Sequence, residues 1–220
     1  MTYQHKWIDG SLMDFPVGKA VCVGRNYAEH ARELGNEVPT EPVLFIKPAT
    51  ALCHLDAPLV IPRDQGEVHH EVEMVVLIGK TLRHASAEDA HAGIAAYGIG
   101  LDLTLRDVQS RLKEKGLPWE KAKAFDGSAP VSGLIDARGV STRQHLDVML
   151  EVNGEVRQYG HTGQMLFPVF PLVAEISRHF TLMPGDLVFT GTPKGVGPMQ
   201  VGDRLAARLG NFLVTRTDVV

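Results

Sequence analysis

The chain has 220 residues, of which 44% are hydrophobic and 22% charged, an ordinary composition for a globular protein with a sizeable core. Its formal net charge of −4 gives no sign of the basic surface that binds nucleic acid. No apolar run approaches the roughly 20 residues that span a bilayer, and the opening MTYQHKWIDG lacks the layout of a signal peptide. We therefore expect a cytoplasmic protein with no nucleic-acid or membrane partner, in which Cys22 and Cys53 are free thiols.

Short apolar runs between Gly and Pro residues predict the strands. They cover residues 20–24, 42–48, 58–62, 71–79, 98–105, 147–158, 185–191 and 203–220. Within the sixth run, Asn153 and Gly154 have the residue types of a type I′ turn and predict a β-hairpin.

Helical signals are fewer. They lie at residues 26–34, 86–98, 104–116 and about 168–180. In the first segment Asn26 is the candidate N-cap and Gly35 follows the end, whereas the second opens on Ser86 and Asp89 in the pattern of a capping box. Because the strands do not alternate regularly with helices, the pattern favours an α+β fold over a doubly wound sheet.

The segment VHHEVEMVVLIGK places two acids in an otherwise apolar strand. Alternate residues of a strand share a face, so Glu71 and Glu73 project together, roughly 6.5–7 Å apart along the backbone. Two ionised carboxylates aimed at a core are costly unless something compensates them. An edge strand whose face meets water, salt bridges to Lys or Arg, and a bound metal would each provide compensation.

Asp102 favours the metal, because it is a third acid inside another apolar run, GIGLDLTL. Three oxygen ligands suit Mg²⁺ or Mn²⁺ and leave about three octahedral positions for water or substrate. Zinc is disfavoured, since the chain has no HExxH motif and no cysteine cluster. His69 and His70 precede the acids, and we expect them to support or pack against the site rather than to bind the metal.

Six segments together carry a pattern more specific than any single motif. They read VCVGRNYAEHAREL, PVLFIKPATAL, HHEVEMVVLIG, LDLTLRDVQSRLKEKGLPWEKAKAFDGSAPVSG, VNGEVRQ and LVFTGTPKGVGP. In this order, from about residue 18 to residue 210, the chain resembles the fumarylacetoacetate hydrolase superfamily, and most of all its short branch of acylpyruvate hydrolases and oxaloacetate decarboxylases. The resemblance implies an α+β fold, a strand-rich mixed β-roll with a few flanking helices, and a homodimer. It also implies a single catalytic domain over residues 1–220, in which residues 1–17 form a short N-terminal segment.

In that superfamily an E-x-E strand and a later Asp hold a divalent cation, and the matching residues here are Glu71, Glu73 and Asp102. The implied cofactor is Mg²⁺ or Mn²⁺. Acylpyruvase members also carry a catalytic His–Glu dyad on a short mobile helix, which matches His30 and Glu33 on one helix face. By spacing alone, a solvated surface helix is the simpler interpretation of those charges.

The resemblance also implies substrate contacts. Lys123 and Gln109 match residues that touch the substrate, and Lys123 would meet its keto-acid end. Arg106 follows Asp102 by four residues and is either a further substrate contact or a structural ion-pair partner.

Two further positions are candidates for binding an anion. Arg25 and Asn26 open the predicted dyad helix, where a guanidinium and a helix N-terminus both favour negative charge. The segment TGTPKGVG matches no nucleotide-binding loop, and by composition it is a Gly/Pro surface turn. The resemblance makes it a substrate-facing loop, in which Thr192 offers a hydroxyl to a carboxylate or oxyanion.

The implied substrate is a small 2-keto or 2,4-diketo acid, which can chelate a divalent cation through its carboxylate and keto oxygens. Because both dyad residues are present, we favour a metal-dependent hydrolase that cleaves acylpyruvates to pyruvate and a carboxylic acid through a metal-bound enolate. Alternatives are an oxaloacetate decarboxylase or tautomerase, or a 2-hydroxyhepta-2,4-diene-1,7-dioate isomerase of aromatic degradation. A non-catalytic metal- or ligand-binding β scaffold is the alternative from another class.

Overall fold

A computed structural model describes residues 3–140 and 145–220. Its strands are β1 (Ala20–Val23), β2 (Leu44–Lys47), β3 (Leu52–His54), β4 (Val68–His70), β5 (Val72–Ile78), β6 (Ile94–Leu101), β7 (Thr104–Leu105), β8 (Ala129–Val131), β9 (Ile135–Asp136), β10 (Asp147–Val152), β11 (Glu155–His161), β12 (Leu187–Phe189), β13 (Gly197–Pro198), β14 (Arg204–Leu209) and β15 (Leu213–Asp218). Its α-helices are α1 (Ala28–Glu33), α2 (Ala87–Gly93), α3 (Arg106–Glu114), α4 (Glu120–Lys123) and α5 (Val169–His179).

The largest sheet is mixed and has the strand order β2-β1-β12-β5-β6-β8-β3, with β9 also paired to β6. The pairs β1–β12 and β3–β8 are parallel, whereas β12–β5 and β5–β6 are antiparallel. A second sheet, β11-β10-β14-β15, is antiparallel, and a small third sheet pairs β13, β4 and β7. This arrangement confirms the strand-rich mixed β-roll with a few flanking helices that the sequence resemblance implies.

Side-chain alternation along β5 separates two hydrophobic cores. Met74 and Val76 face the larger core, which also receives residues of β14 and of the helices α2 and α5. Val75 and Leu77 face the smaller core on the opposite side of the sheet, together with Phe189. A strand buried on both faces explains why this segment reads as a continuous apolar run.

The N-terminal segment covers the smaller core. Tyr3 and Met13 are buried there, and Trp7, Phe15 and Val17 pack against the same cluster. Residues 3–17 thus form a cover for one face of the large sheet, held without regular secondary structure beyond isolated bridges.

Several local predictions are confirmed. The β10–β11 hairpin turns at Asn153 and Gly154, both with positive φ as a type I′ turn requires. Ser86 and Asp89 form the predicted capping box of α2, and both cysteines are free thiols. Among the described residues, no helix is long and apolar enough to cross a membrane.

Three predictions of secondary structure are wrong. Residues 58–62 form no strand, because prolines at both ends remove ladder donors, and only Leu59 makes an isolated bridge. The helix predicted over 86–98 ends at Gly93, after which the chain enters β6. The N-cap of α1 is Tyr27, since the side chain of Asn26 is bonded to more distant backbone.

Candidate metal centre and active site

Three acidic side chains meet where the large sheet joins the small third sheet. Glu71 lies at the break between β4 and β5, and Asp102 at the matching break between β6 and β7. The two breaks are adjacent, because the amide N–H of Asp102 donates to the carbonyl of Glu71 at 2.8 Å. With Glu73 on β5, they place one carboxylate oxygen each within 4.8 Å of one another. All three side chains are buried, which excludes the alternative of a strand face in water.

Basic side chains compensate two of the three acids. The Nζ of Lys123 on α4 donates to Glu71 Oε2 at 2.8 Å and to Asp102 Oδ2 at 2.6 Å. Arg106 at the start of α3 forms an ion pair with the other oxygen of Glu71. The predicted salt-bridge alternative is therefore present alongside the acid cluster. Lys123 lies at the cluster itself, where we expected it to meet a substrate.

Lys47 is a further cation at this centre, and the sequence reasoning did not single it out. Its Nζ lies 2.8 Å from Asp102 Oδ1. The hydrogen bonds of this ammonium go to the carbonyls of Leu103 and Ser128, at 3.2 and 2.7 Å. Asp102 Oδ1 therefore has a positive charge beside it but accepts no hydrogen bond among the described residues. Its sequence signal is a lysine that ends the apolar strand β2.

Glu73 differs from its two neighbours. Among residues 3–140 and 145–220 it forms no ion pair, and its hydrogen bond comes from the backbone N–H of Gly191 at 2.6 Å. Burial raises its pKa, and the like charges of Asp102 and Glu71 raise it further. Burial acts on Glu71 in the same sense, but the charges of Lys123 and Arg106 outweigh it and hold the pKa of Glu71 well below its ordinary value.

The donor set fits a hard divalent cation. Three convergent carboxylates supply the oxygen ligands that Mg²⁺ and Mn²⁺ prefer. A cation there would also supply the charge that Glu73 lacks, since ionised Glu73 has no cationic side chain in contact among the described residues.

The structure brings the predicted dyad residues together beside this cluster. His30 Nδ1 lies 3.3 Å from Glu33 Oε2 on α1. Glu33 also accepts from the N–H of Gly195 at 3.0 and 3.2 Å, which ties the helix to the TGTPKGVG loop. Burial lowers the pKa of His30 below 6.5, against the opposing influence of Glu71 and Glu33. The imidazole is therefore neutral at pH 7 and able to accept a proton.

A small cavity lies between α1, α3 and the acid cluster. Among the predicted site residues it is lined by Arg25, His30, Glu71, Arg106, Gln109 and Lys123. Lys113 and Trp119, which the sequence reasoning did not single out, also line it. Arg106, Gln109 and Lys113 follow one another at i, i+3 and i+7 on one face of α3, and this spacing is a signal that could have identified Lys113. The free volume of about 10 Å³ accommodates no more than a water molecule.

Two predicted substrate contacts lie outside this lining. The amide of Asn26 is occupied by backbone groups, donating to the carbonyls of Phe167 and Thr190 and accepting from the N–H of Phe167. The hydroxyl of Thr192 donates to the carbonyl of Val72 at 2.8 Å. In this structure both side chains brace the backbone, and their roles toward a substrate stay predictions.

Gln158 on β11 joins the metal strand to the TGTPKGVG loop. Its Oε1 accepts from the N–H of Val72 at 3.0 Å and from His70 Nδ1 at 2.9 Å. Its Nε2 donates to Thr192 Oγ1 at 2.8 Å and to the carbonyl of Pro193 at 2.9 Å. Because His70 and Val72 flank Glu71, this buried amide fixes the backbone of a candidate ligand. Its sequence signal is its place in the VNGEVRQ segment.

Comparisons with known proteins identify the family of this chain and several of its relatives. The family model described as fumarylacetoacetate (FAA) hydrolase C-terminal matches residues 19–220. The chain is 56% identical over 216 residues to the oxaloacetate tautomerase YcgM of Escherichia coli (strain K12), covering 97% of this chain and 99% of the relative. It is 44% identical over 193 residues to the mitochondrial oxaloacetate tautomerase FAHD1 of Bos taurus, covering 88% and 87% of the two chains.

A solved structure offers a further comparison. The fumarylpyruvate hydrolase of Pseudomonas aeruginosa, in complex with Mn²⁺ and pyruvate, superimposes with a TM-score of 0.93 at 41% identity. The match covers 100% of this chain and 97% of that one. By their names, these three relatives are enzymes that act on small keto acids.

The network of Gln158 generates a first prediction. Gln158→Met keeps the side-chain length but removes the acceptor of the buried Val72 N–H and of the His70 ring, and leaves the Pro193 carbonyl with a long contact of 3.5 Å from the Thr192 hydroxyl. We expect the free energy of unfolding to fall by about 3 kcal/mol or more, since each unsatisfied buried group costs roughly 1–3 kcal/mol. Chemical denaturation measures this, with the exposed Gln65→Met as the matched control. A loss no greater than that of the control would contradict the proposed bracing.

The electrostatics of Glu73 generate a second prediction, for protein kept free of metal by a chelator. Its folded pKa is raised, so from its ordinary pKa of 4.5 upward the folded state holds a proton that the unfolded state releases. This contribution makes the protein less stable as pH rises. Glu73→Gln removes this ionisable group. We therefore expect the free energy of unfolding of the variant to exceed that of the unsubstituted protein by an amount that grows between pH 5 and pH 8, as measured in denaturation experiments.

Glu71→Gln is the matched control, because the pKa of Glu71 is lowered and its ionised form stabilises the fold. Neutralising it leaves Lys123 and Arg106 without that partner, so the variant should be less stable than the unsubstituted protein over the same pH range. If Glu73→Gln and Glu71→Gln both stabilised or both destabilised the protein, the assignment of a raised pKa to Glu73 and a lowered pKa to Glu71 would be refuted.

Proposed function

The chain belongs to the fumarylacetoacetate hydrolase family, and from this membership and the geometry of its site we propose that it is a divalent-metal-dependent tautomerase. Its proposed substrate is oxaloacetate, whose enol and keto forms it would interconvert. The observation that carries the proposal is the position of a neutral His30 and a cationic Lys123 on one small cavity beside three carboxylates. The similarity to two oxaloacetate tautomerases over most of the chain supports this choice of reaction.

Each candidate residue has a role in such a proton shift. The enol-to-keto direction removes the hydroxyl proton of the enol and adds a proton to C3. His30 uses Nδ1 toward Glu33, so its Nε2 is the nitrogen left to accept the hydroxyl proton and return it to C3. The ammonium of Lys123 stabilises the negative oxygen that exists between these two transfers.

The proposed cofactor is Mg²⁺ or Mn²⁺. Glu71, Glu73 and Asp102 would hold the ion, which would supply Lewis acidity toward the keto and carboxylate oxygens of a 2-keto acid. The Mn²⁺ and pyruvate in the Pseudomonas aeruginosa neighbour support this assignment for both the metal and the keto acid. The choice between the two metals, the homodimer and the cytoplasmic location stay predictions.

Substrate entry requires a change of shape, because the cavity holds about 10 Å³ and a four-carbon acid needs far more. The helix α1, which carries His30, forms one wall of the cavity. Its contacts to the TGTPKGVG loop are the Glu33–Gly195 hydrogen bonds and an exposed Lys194–Glu29 ion pair of 2.9 Å. We infer that α1 withdraws to admit the substrate and returns to place His30 over it.

Hydrolysis of acylpyruvates is the second candidate. The contact between His30 and Glu33 favours it, since a carboxylate-oriented imidazole can activate a water molecule for attack on the distal carbonyl. The similarity to a fumarylpyruvate hydrolase supports the same reaction. In a decarboxylation of oxaloacetate, Lys123 would stabilise the negative oxygen of the enolate, as in the proton shift described above. An isomerase would need the same proton shuttle through His30.

The acid cluster is intact, and this argues against a non-catalytic scaffold.

A substrate panel tests the choice among these reactions. We expect the protein with Mg²⁺ or Mn²⁺ to accelerate the conversion of enol to keto oxaloacetate, followed by the loss of enol absorbance. The activity should disappear with a chelator and return when the metal is added back. Acetylpyruvate cleavage and oxaloacetate decarboxylation are measured in parallel. Acceleration of cleavage alone would replace the tautomerase by the hydrolase, and full activity with the chelator would refute the metal requirement.

The proposed role of His30 makes a further prediction. His30→Ala should lower the tautomerisation rate by roughly 10²- to 10⁴-fold, the range for loss of a general acid–base group. Metal binding, measured by calorimetry, should be retained, and the exposed His179→Ala should behave like the unsubstituted protein. Because burial lowers the pKa of His30, the unsubstituted enzyme should lose kcat/KM on the acid side only below pH 6.5. An unchanged rate in the variant would remove His30 from the mechanism.

A further inference from the structure

The cavity beside the acid cluster has more positive charge than its acids balance. Its lining includes four basic residues, Arg25, Arg106, Lys113 and Lys123, and one carboxylate, that of Glu71. Arg106 and Lys123 are paired with Glu71. Within residues 3–140 and 145–220, Arg25 and Lys113 form no ion pair with an acid. Two cations thus face this cavity without a counter-charge.

The surroundings of Lys113 disfavour its charged form. Its Nζ lies 5.7 Å from the ring centroid of Trp119 and makes one long contact, of 3.4 Å, to Asn36 Oδ1. Burial lowers the pKa of Lys113, and the positive charges of Arg25, Arg106 and Lys123 lower it further. A half-buried ammonium among like charges is the environment that an anion would stabilise.

From this wall we infer that Lys113, together with Arg25, binds the second carboxylate of the substrate and so selects 2-keto dicarboxylates over 2-keto monocarboxylates. The inference rests on the proposed function, in which the carboxylate and keto group at the other end of the substrate meet the acid cluster and Lys123. Lys113 is then a specificity-determining residue. It lies one helical turn beyond Gln109 on the face of α3 that already carries Arg106.

The chemistry of two ligands allows a direct test. Oxaloacetate carries a carboxylate at C4, whereas acetylpyruvate has the same 2-keto acid end and replaces that carboxylate by a neutral acetyl group of similar size. A residue that binds the C4 carboxylate affects the affinity for the first ligand only. A residue that binds the shared carboxylate affects both.

The experiment compares Kd values for the two ligands with Mg²⁺ present, by rapid-mixing titration of tryptophan fluorescence, since Trp119 lines the cavity. We expect Lys113→Met to weaken oxaloacetate binding roughly ten- to hundredfold, the loss expected for one charge-assisted hydrogen bond. The ratio of the two Kd values should change by the same factor. Lys113→Arg should restore most of the preference, because it retains the charge.

The matched control is Lys115→Met, which removes an exposed lysine at the end of the same helix and should leave the ratio unchanged. Equal weakening of both ligands, or no weakening of either, in a folded Lys113→Met variant would overturn the inference. Binding is measured apart from turnover, so a protein that prefers oxaloacetate in binding but does not tautomerise it would refute the proposed reaction and leave the carboxylate site standing. Equally tight binding of both ligands by the unsubstituted protein would overturn the selectivity.

Discussion

Three buried carboxylates within 4.8 Å of one another are the constraint on which the rest of this site depends. Like charges this close cannot all remain ionised in a buried site without cations or donors around them. The surroundings supply Lys123 between two of the acids, Arg106 on Glu71 and Lys47 beside Asp102. Among residues 3–140 and 145–220, Glu73 accepts a hydrogen bond from the backbone N–H of Gly191 and has no cationic side chain paired with it, so its carboxylate is the one acid without a local counter-charge.

The sheet is organised around the same point. Glu71 and Asp102 lie at matched breaks, where β4–β5 and β6–β7 pass from the large sheet to the small one. A regular strand would direct successive side chains to opposite faces. Glu71 and Glu73 are two residues apart and so share a face, and Asp102 lies beside Glu71, to whose carbonyl its amide N–H donates, so the three carboxylates converge. Gln158 then accepts hydrogen bonds from both neighbours of Glu71, from the ring of His70 and from the backbone N–H of Val72.

Much of this arrangement could be predicted from local sequence. Strand parity placed Glu71 and Glu73 on one face, and the apolar context of Asp102 indicated a third member. The helix predicted over 86–98 was too long, because residues after Gly93 suit a buried strand as well as a helix and the sheet decides between them. Lys47 and Gln158 could not be identified in this way, because their contacts join residues 34 or more positions apart and no local pattern indicates such pairs.

Charge at the site relates the metal to the choice of substrate. With Glu73 ionised, the three acids are balanced by Lys123, Arg106 and Lys47, so a divalent cation at the cluster would leave an excess of two positive charges. Arg25 and Lys113 on the adjoining wall add to that excess. A monocarboxylate substrate would neutralise a small part of it, whereas a dicarboxylate brings two negative charges to opposite ends of the same cavity. The acid cluster and the His30–Glu33 dyad suit several reactions of 2-keto acids, so they do not by themselves select one substrate. Arg25 and Lys113 on the wall would provide that selection, because they favour a 2-keto acid with a second carboxylate.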